Sequence, residues 1–596
     1  MIRTNGAGAI GEAHIGSVVT VAGWVQRRRD HGGITFFDIR DSTGVIQVVA
    51  DPARLPVASD LKMEYCVAVE GEVRARPEGT ENLEMRTGKV EIGATRIEVL
   101  SAAKTIPFLI DDRTEVDEQV RLKYRYLDLR RPRMAANLRA RSRATAAIRR
   151  TLDELGFLEV ETPTLINSTP EGARDMLVPS RLRPGEFYAL PQSPQLFKQL
   201  LMISGVERYF QIARCYRDED FRADRQLEFT QLDLEGSFWD RDDVLSTIEQ
   251  VLAAVVAELR GVEVPLPFRR LTWQDSMERF GTDKPDLRFG MEIVDLTTVA
   301  AGSGFGVFKD AVAAGGVVRG INVGPQEWSR ARADAMTERA KEHGARGLVW
   351  MVVEEGGEVR SPAAKFLEPF EIDEIVGQLA ASPGDVLLFI GDRWRTTVEA
   401  LGNLRLDLGR PPGHDRLEFL WVIDFPLFEE EDDGSITFSH HPFTSPQSIE
   451  ALREDPKSAL ARAYDAVVNG VELGSGSIRI HDPMVQRQVF EILGIDAETA
   501  ERRFGWFLEA LEYGTPPHGG FAFGVDRLVM VLQNEASIRE VIPFPKTQTG
   551  ADPMTGAPTW VADAQLDDLG IRLGPQAIAR RDSGSAVPED GLPSEG

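Results

Sequence analysis

The feature that most constrains this chain is a pair of strand-like runs joined by a densely charged loop. Arg214-Cys215-Tyr216-Arg217-Asp218-Glu219 leads into a polar segment with Arg222 and Arg225, and the chain returns through Glu228-Phe229-Thr230-Gln231. A strand that ends in Arg-x-Glu is costly unless something pairs those charges. Two other stretches accompany it. Gly156-Phe157-Leu158-Glu159-Val160-Glu161-Thr162-Pro163 reads as a helix end, a strand and a fixed proline. Gly519-Gly520-Phe521-Ala522-Phe523-Gly524-Val525-Asp526-Arg527-Leu528 places glycines directly ahead of an arginine.

At 596 residues the chain spans several domains, because single cores stop growing well before that length. Apolar runs such as Val386–Ile390 and Leu528–Leu532 are strand- or helix-sized, far short of the roughly 20 residues needed to cross a bilayer. No secretory signal is visible in Met1–Gly16. Cys66 and Cys215 are the two cysteines, too few for a disulfide framework or a cysteine-based zinc site. These observations imply a reduced, cytoplasmic setting and no membrane partner. The net charge is −26, but screening limits its reach to about 8–10 Å in physiological salt, so distribution matters more than sum. Between Arg121 and Arg150 there are eleven Lys or Arg against one acid, Asp128. With the cluster Arg27, Arg28 and Arg29, this run points to a polyanionic partner, a solvated helix face being the plainer alternative.

The fold class that follows is multidomain α+β. Residues 1–103 contain five runs with β alternation, Val18–Gln26, Ile34–Ile39, Val45–Val49, Tyr65–Arg76 and Val90–Val99, separated by turn chemistry. Five strands in so short a span suggest a closed oligonucleotide-binding barrel. Arg27, Arg28, Arg29, Phe36, Phe37, Arg40 and Gln47 lie where such a barrel holds bases, one of the two phenylalanines filling its core. A linker (104–137) follows, then a segment of alternating strands and helices (138–284). A Gly/Ala-rich inserted α/β domain (285–412) comes next, bounded by turns at Gly281–Pro285 and Arg410–His414. Strand and helix patterns resume over 413–565, and an extension (566–596) is expected to be largely disordered from Ala577 onward.

Taken together, the three stretches suit adenylate formation, in which a carboxylate attacks the α-phosphate of ATP and pyrophosphate leaves in line. Such an enzyme mainly positions its substrates and neutralises phosphate charge. Arg217 and Arg527 are candidates, since the guanidinium fork pairs bidentately with phosphate and stays charged. Here the sequence resembles the class II aminoacyl-tRNA synthetases, the three stretches being similar to their motifs 1, 2 and 3 in order. The finer wording resembles the bacterial-type aspartyl-tRNA synthetases over nearly the whole chain. That resemblance implies an anticodon-binding barrel, a catalytic antiparallel sheet with an insertion between motifs 2 and 3, and a homodimer formed through motif 1. ATP and L-aspartate would be substrates, with Mg2+ as cofactor and tRNA-Asp as partner.

Residue by residue, the resemblance implies that Arg217, Glu219 and Arg527 are catalytic. Glu171, Ser193, Gln195, Lys198, Arg217, Asp233, His440, His441 and Arg479 would bind aspartate. Of these, Lys198 and Arg479 would take its side-chain carboxylate. ATP would meet Arg217, Asp218, Glu219, Gln226, Glu472, Gly524, Val525, Asp526 and Arg527. Asp465 and Glu472 would hold magnesium. Ser193 is expected to cap the helix that carries Gln195 and Lys198. On a straight strand Glu472 and Arg479, seven apart, would face opposite ways; Gly474 and Gly476 are where a break is expected. Zinc at His440-His441 is the rival reading, opposed by the want of a third ligand at metal spacing.

One detail separates two versions of this function. Arg27, Arg28, His31, Phe36, Gln47 and Gly79 are the expected tRNA-binding or discrimination positions. His31 and Gly79 resemble members that also charge tRNA-Asn, strict members having a bulkier apolar residue and a lysine there. Neutral drift of the two loops is the alternative. Rival functions are a sister synthetase for asparagine or lysine, opposed by Arg479 and the insertion, and a tRNA-independent ligase, opposed by the barrel. A non-catalytic RNA-binding relative would have lost some of Arg217, Glu219, Glu472 and Arg527, and all four are present.

Overall fold

The computed structural model describes residues 2–168, 172–219, 224–409, 416–431 and 433–583. Two compact units emerge, one made of Met1–Arg139 with Ile542–Thr559 and the other of Ala140–Val541 with Trp560–Gly596.

In the first unit, β1 (Val18–His31), β2 (Ile34–Asp41), β3 (Gly44–Ala50), β4 (Cys66–Ala75) and β5 (Val90–Ser101) close into a barrel in the order β1-β2-β3-β5-β4. Its only parallel pairing is β3 with β5. Val21, Val25, Phe37, Ile39, Ile46 and Val48 alternate inward to form its core. Phe37 is thus the core phenylalanine, and Phe36 is half-buried on the opposite face. β1 runs past its expected end through Arg27–Arg29, because a register shift between Val25 and Arg27 keeps it paired with β2. Arg27, His31 and Gly79 are exposed, and Arg28 is half-buried. Gln47 is buried; its amide accepts from Arg29 at 3.1 Å and donates to Glu91 at 2.9 Å. Arg40, expected on the binding face, is buried instead and donates to both oxygens of Glu64 at 2.9 Å.

The basic run also departs from expectation. Buried Asp128 draws in Arg121 and Arg125, at 3.0 and 2.6 Å, and Arg131 at 3.5 Å. Arg125 also donates to the carbonyls of Ile542 and Pro543, and Arg130 lies 4.5 Å over the Trp24 ring while pairing with Glu64. Farther along, Arg143 and Arg150 meet Glu258, and Arg149 meets Glu159. Most of this run is therefore internal ion pairing, not a free polyanion surface. One acid at the right depth collects three guanidinium groups that the linear pattern presents as one solvated face.

The second unit begins within the helix Pro132–Glu154, which Gly156 terminates at φ +79°. Then come β6 (Leu158–Glu159), the hairpin β7 (Leu177–Pro179) and β8 (Phe187–Ala189), the helix Gln195–Ile203, β9 (Arg208–Tyr216), β10 (Glu228–Ser237) and β11 (Arg269–Thr272). The insertion follows as β12 (Val294–Asp295), β13 (Val317–Pro325), β14 (Val349–Val353), β15 (Val359–Arg360) and β16 (Asp385–Asp392). These form a sheet of order β12-β13-β16-β14-β15, flanked by helices. The chain resumes with β17 (Phe419–Ile423), the hairpin β18 (Phe428–Glu430) and β19 (Ile436–Phe438), β20 (Ala463–Val468), β21 (Val471–Ile478) and β22 (His518–Gly524). An eight-stranded sheet of order β11-β17-β20-β21-β22-β10-β9-β6 results, parallel only at its two ends. Beyond it a helix spans Pro575–Asp582, inside the tail expected to be unstructured. Among the described residues no helix is long and apolar enough to cross a membrane.

The centre of this sheet is drawn tight by glycine. A Cβ on Gly520 would lie 1.8 Å from Glu235 Oε2 and 2.3 Å from the Leu234 carbonyl; one on Gly474 would lie 2.0 Å from the Ala522 carbonyl. Gly520→Ala is therefore expected to lower stability by about 1–3 kcal/mol through overpacking. Gly377→Ala, on a helix with open space around the added methyl, should leave it unchanged or higher. Denaturant midpoints of the two variants check this; equal midpoints would show that the strands have slack.

Candidate active site

Strand β10 organises the site. Gln231, Asp233 and Glu235 alternate along it and share one face. Asp233 and Glu235 are fully buried. Lys198, one turn into the helix Gln195–Ile203 and 1% exposed, places Nζ 3.2 Å from Asp233 Oδ1 and 3.5 Å from Glu235 Oε2. Arg479, just past β21, donates to Glu235 from Nε at 2.9 Å and from Nη2 at 3.2 Å, and its Nη1 donates to Ser477 Oγ at 2.7 Å. Pro194, not Ser193, holds the N-cap position, and Ser193 Oγ accepts from Gln195 N at 3.3 Å.

These groups wall a cavity of about 320 Å³. Ser193, Gln195, Lys198, Asp233, His440, His441 and Arg479 are on its lining, and so are Arg217, Glu219, Gln226, Glu472, Gly524, Asp526 and Arg527. Several of their buried polar atoms have no partner: Gln195 Nε2, Asp233 Oδ2, Arg217 Nε, His441 Nε2 and Arg527 Nε. A buried polar atom left unpaired costs about 1–3 kcal/mol. Donors and an acceptor orphaned around one cavity are what a charged, hydrogen-bonding ligand would satisfy.

Some expected contributors lie elsewhere. Asp218 turns to Arg174 at 3.5 Å and is absent from the lining. Val525 is fully buried in the first turn of its helix and also off the lining, because its side chain packs inward where the strand becomes helix. Asp526 reaches the lining, but its carboxylate accepts from Thr230 N at 2.8 Å and meets Arg141. Glu171 and Arg222 fall outside the described residues. Glu472 and Arg479 both line the cavity despite their odd spacing. The register slips between Ala466 and Val467, opposite Glu472–Gly474, and this irregularity resets the alternation. Gly474 and Gly476 serve instead for the close approach of β22.

Residues that sequence reasoning passed over include Phe229, whose ring lies 5.1 Å from the Arg217 guanidinium, and Gln231, Thr444 and Ser477 on the lining. The most important is Glu235. Its two-residue spacing from Asp233 on a strand was the signal available.

The family model for tRNA synthetases class II (D, K and N) matches residues 117–548, and that for the OB-fold nucleic acid binding domain matches 19–100. The chain belongs to the class II tRNA synthetases. It is 53% identical over 580 residues to the aspartate–tRNA(Asp/Asn) ligase of Moorella thermoacetica, covering 96% of each chain. It is 54% identical over 592 residues to the ligase of the same name from Symbiobacterium thermophilum, covering 96% of this chain and 100% of that one. Among solved structures, asparaginyl-tRNA synthetase from Pyrococcus horikoshii complexed with asparaginyl-adenylate shares the fold. Its TM-score is 0.58 at 21% identity, covering 92% of this chain and 99% of that one.

Electrostatics sort the residues of the synthetase's cavity by role. Burial pushes the Glu235 carboxyl up, but Arg479 and Lys198 more than offset it and leave it below the usual carboxylate range. Asp233 goes the other way: burial outweighs Lys198 and raises it. Arg479 is raised, because the Glu235 charge beside it overcomes the penalty of burial. His441 is held well below its ordinary value by burial and then by Arg479 and Lys198, so it is a neutral imidazole. His440 Nε2 lies 2.9 Å from Asp465 Oδ1, which raises the imidazole despite burial.

That pairing bears on magnesium. Asp465 lies behind the lining, engaged with His440, while Glu472 lines the cavity. No group of three metal-ligating side chains occurs among the described residues. Glu472 on the lining fits a magnesium that shares phosphate oxygens and water, and Asp465, close enough to feel the Glu472 charge, engages His440 through Oδ1.

Glu235→Gln should strip buried Arg479 of its countercharge and leave Lys198 paired with Asp233 alone. Losing a buried countercharge costs about 3–5 kcal/mol, so kcat/KM for the amino acid is expected to fall roughly 100-fold or more, with the KM for ATP little changed. Pyrophosphate exchange titrated separately in each substrate tests this, and equal damage to both would contradict the placement.

Proposed function

We propose that this synthetase is an aspartate–tRNA ligase acting on both tRNA-Asp and tRNA-Asn. The observation that supports it best is the pair of buried cations, Lys198 and Arg479, held over one fixed carboxylate beside the unpaired Asp233 Oδ2. A side-chain carboxylate satisfies the remaining protons of Lys198 and Arg479, and the substrate ammonium satisfies Asp233. Asparagine would place an amide NH2 against those cations. Sites with unpaired polar groups of this kind reject the near-isostere by roughly 10⁴-fold or more.

ATP occupies the other part of the cavity. An oxygen of the aspartate α-carboxylate attacks the α-phosphorus, the bond to the bridging oxygen of the β-phosphate breaks, and pyrophosphate leaves. Arg217 takes charge on the α-phosphate and Arg527 on the γ-phosphate; Arg217 lies over the Phe229 ring, and Arg527 donates to the Glu472 carbonyl at 2.8 Å. Phe229 offers a flat face for adenine. Glu472 would hold a magnesium ion, which supplies further neutralisation of phosphate charge. The terminal ribose hydroxyl of tRNA then attacks the activated carbonyl, and AMP leaves. The working form is a homodimer.

Relaxed tRNA choice rests on the barrel and on the relatives. His31 and Gly79 are exposed, no other residue crowds Gly79, and the relatives at 53% and 54% identity are named for both tRNAs.

Two experiments test the proposal. Arg479→Leu is expected to abolish aspartate-dependent pyrophosphate exchange while leaving ATP binding intact; undiminished exchange would remove Arg479 from the specificity role. Purified tRNA-Asn should accept aspartate from the native enzyme. Charging of tRNA-Asp alone would leave a strictly discriminating ligase.

A further inference from the structure

The cation in the middle of the helix Pro132–Glu154, Arg141, has no place in the chemistry above, yet it lies next to the ATP arginine's immediate neighbour. β22 ends at Gly524 and the helix Val525–Leu532 begins at once, so Asp526 and Arg527 are successive residues in its first turn. Successive helical residues point about 100° apart. Arg527 enters the cavity, where Nη1 donates to the Glu472 carbonyl and Nε is buried without a partner. The Asp526 carboxylate, 1% exposed, accepts the Thr230 N–H of β10 at 2.8 Å and meets the Arg141 guanidinium. Arg141 Nη2 also donates to Thr230 Oγ1 at 2.8 Å, and Arg214 donates to the same oxygen at 3.3 Å.

We propose that Arg141 is a positioning residue for ATP: its fork clamps Asp526 and Thr230 together and thereby fixes the angle at which Arg527 projects into the cavity. The inference rests on the reading of Arg527 as a phosphate-binding residue. A planar guanidinium is required because two acceptors on different elements must be held at once, which a lysine ammonium on a flexible stem does not do. Burial first, and then neighbouring Arg214, bring Arg141 down to about 10, so it remains a cation near neutrality and Asp526 keeps its countercharge. Among the described residues the side-chain pairings of Lys198, Asp233, Glu235 and Arg479 run to one another and to Ser477, not to this clamp, so loosening it should act on one substrate.

Pyrophosphate exchange with the full-length enzyme tests it. Arg141→Lys keeps the charge, and with it folding, but loses the fork; the KM for ATP should rise by roughly tenfold or more, the size of one charge-assisted hydrogen bond. The KM for aspartate and the melting temperature should stay near the native values. Arg141→Gln should be worse in ATP, and combining it with Asp526→Asn should add little to the worse single variant, because both break the same clamp. Arg527→Ala is the control. If it leaves the KM for ATP unchanged, the phosphate role of Arg527 fails and the positioning role falls with it. If Arg527→Ala weakens ATP while Arg141→Lys does not, or Arg141→Lys weakens both substrates alike, the positioning role alone is overturned.

Discussion

The structure depends on one buried carboxylate. Glu235 sits fully enclosed on β10, accepts two hydrogen bonds from Arg479 and lies within ion-pair distance of Lys198. Arg479 could not stay buried without it, since the desolvation of an isolated charge amounts to several kcal/mol even after relaxation. Room for Glu235 exists only because Gly520 on the adjacent strand lacks a side chain. The parity of β10 then sets Asp233 and Gln231 on the same face. A backbone choice on one strand and a charge choice on its neighbour thus meet at one point, and the cavity's selectivity is built outward from there.

Much of this was legible in the sequence, for identifiable reasons. Alternation along β1 and β2 gave the barrel and assigned one of two adjacent phenylalanines to its core. The three motifs carried the resemblance to the class II synthetases, and that resemblance implied the antiparallel sheet and named many of the residues found on the cavity lining. What stayed hidden was pairing between distant residues. Asp128 was visible as the only acid in a basic run, but its depth was not, and depth is what draws in Arg121, Arg125 and Arg131. Spacing alone set Glu472 and Arg479 on opposite faces; a register slip beside Val467 reverses that, and slips leave no mark in composition. Asp218 and Val525 sit inside good motifs, yet a motif names a stretch and not the direction of each side chain.

Under the proposed assignment, the two ends of the cavity are built differently, and the difference suits what each must do. The aspartate end is made of strand interiors and a helix, with Lys198, Asp233, Glu235 and Arg479 all nearly inaccessible and bound to one another. Holding a guanidinium and an ammonium at fixed separation is how a site tells a carboxylate from an amide, and rigidity there is what specificity requires. The ATP end draws on the charged loop after β9, and its charges partly satisfy each other: Arg225 meets Glu219 at 2.6 Å and Arg527 meets Asp224 at 3.3 Å. These pairs are partly exposed, and such pairs contribute only about 0–1 kcal/mol. A triphosphate can therefore take over Arg527 at small cost, and pyrophosphate can leave by the reverse exchange. Arg141 fits between these regimes. It reaches from a long helix to the one residue that must stay fixed beside an arginine whose partners change during turnover, and so it gives the exchangeable end a rigid root.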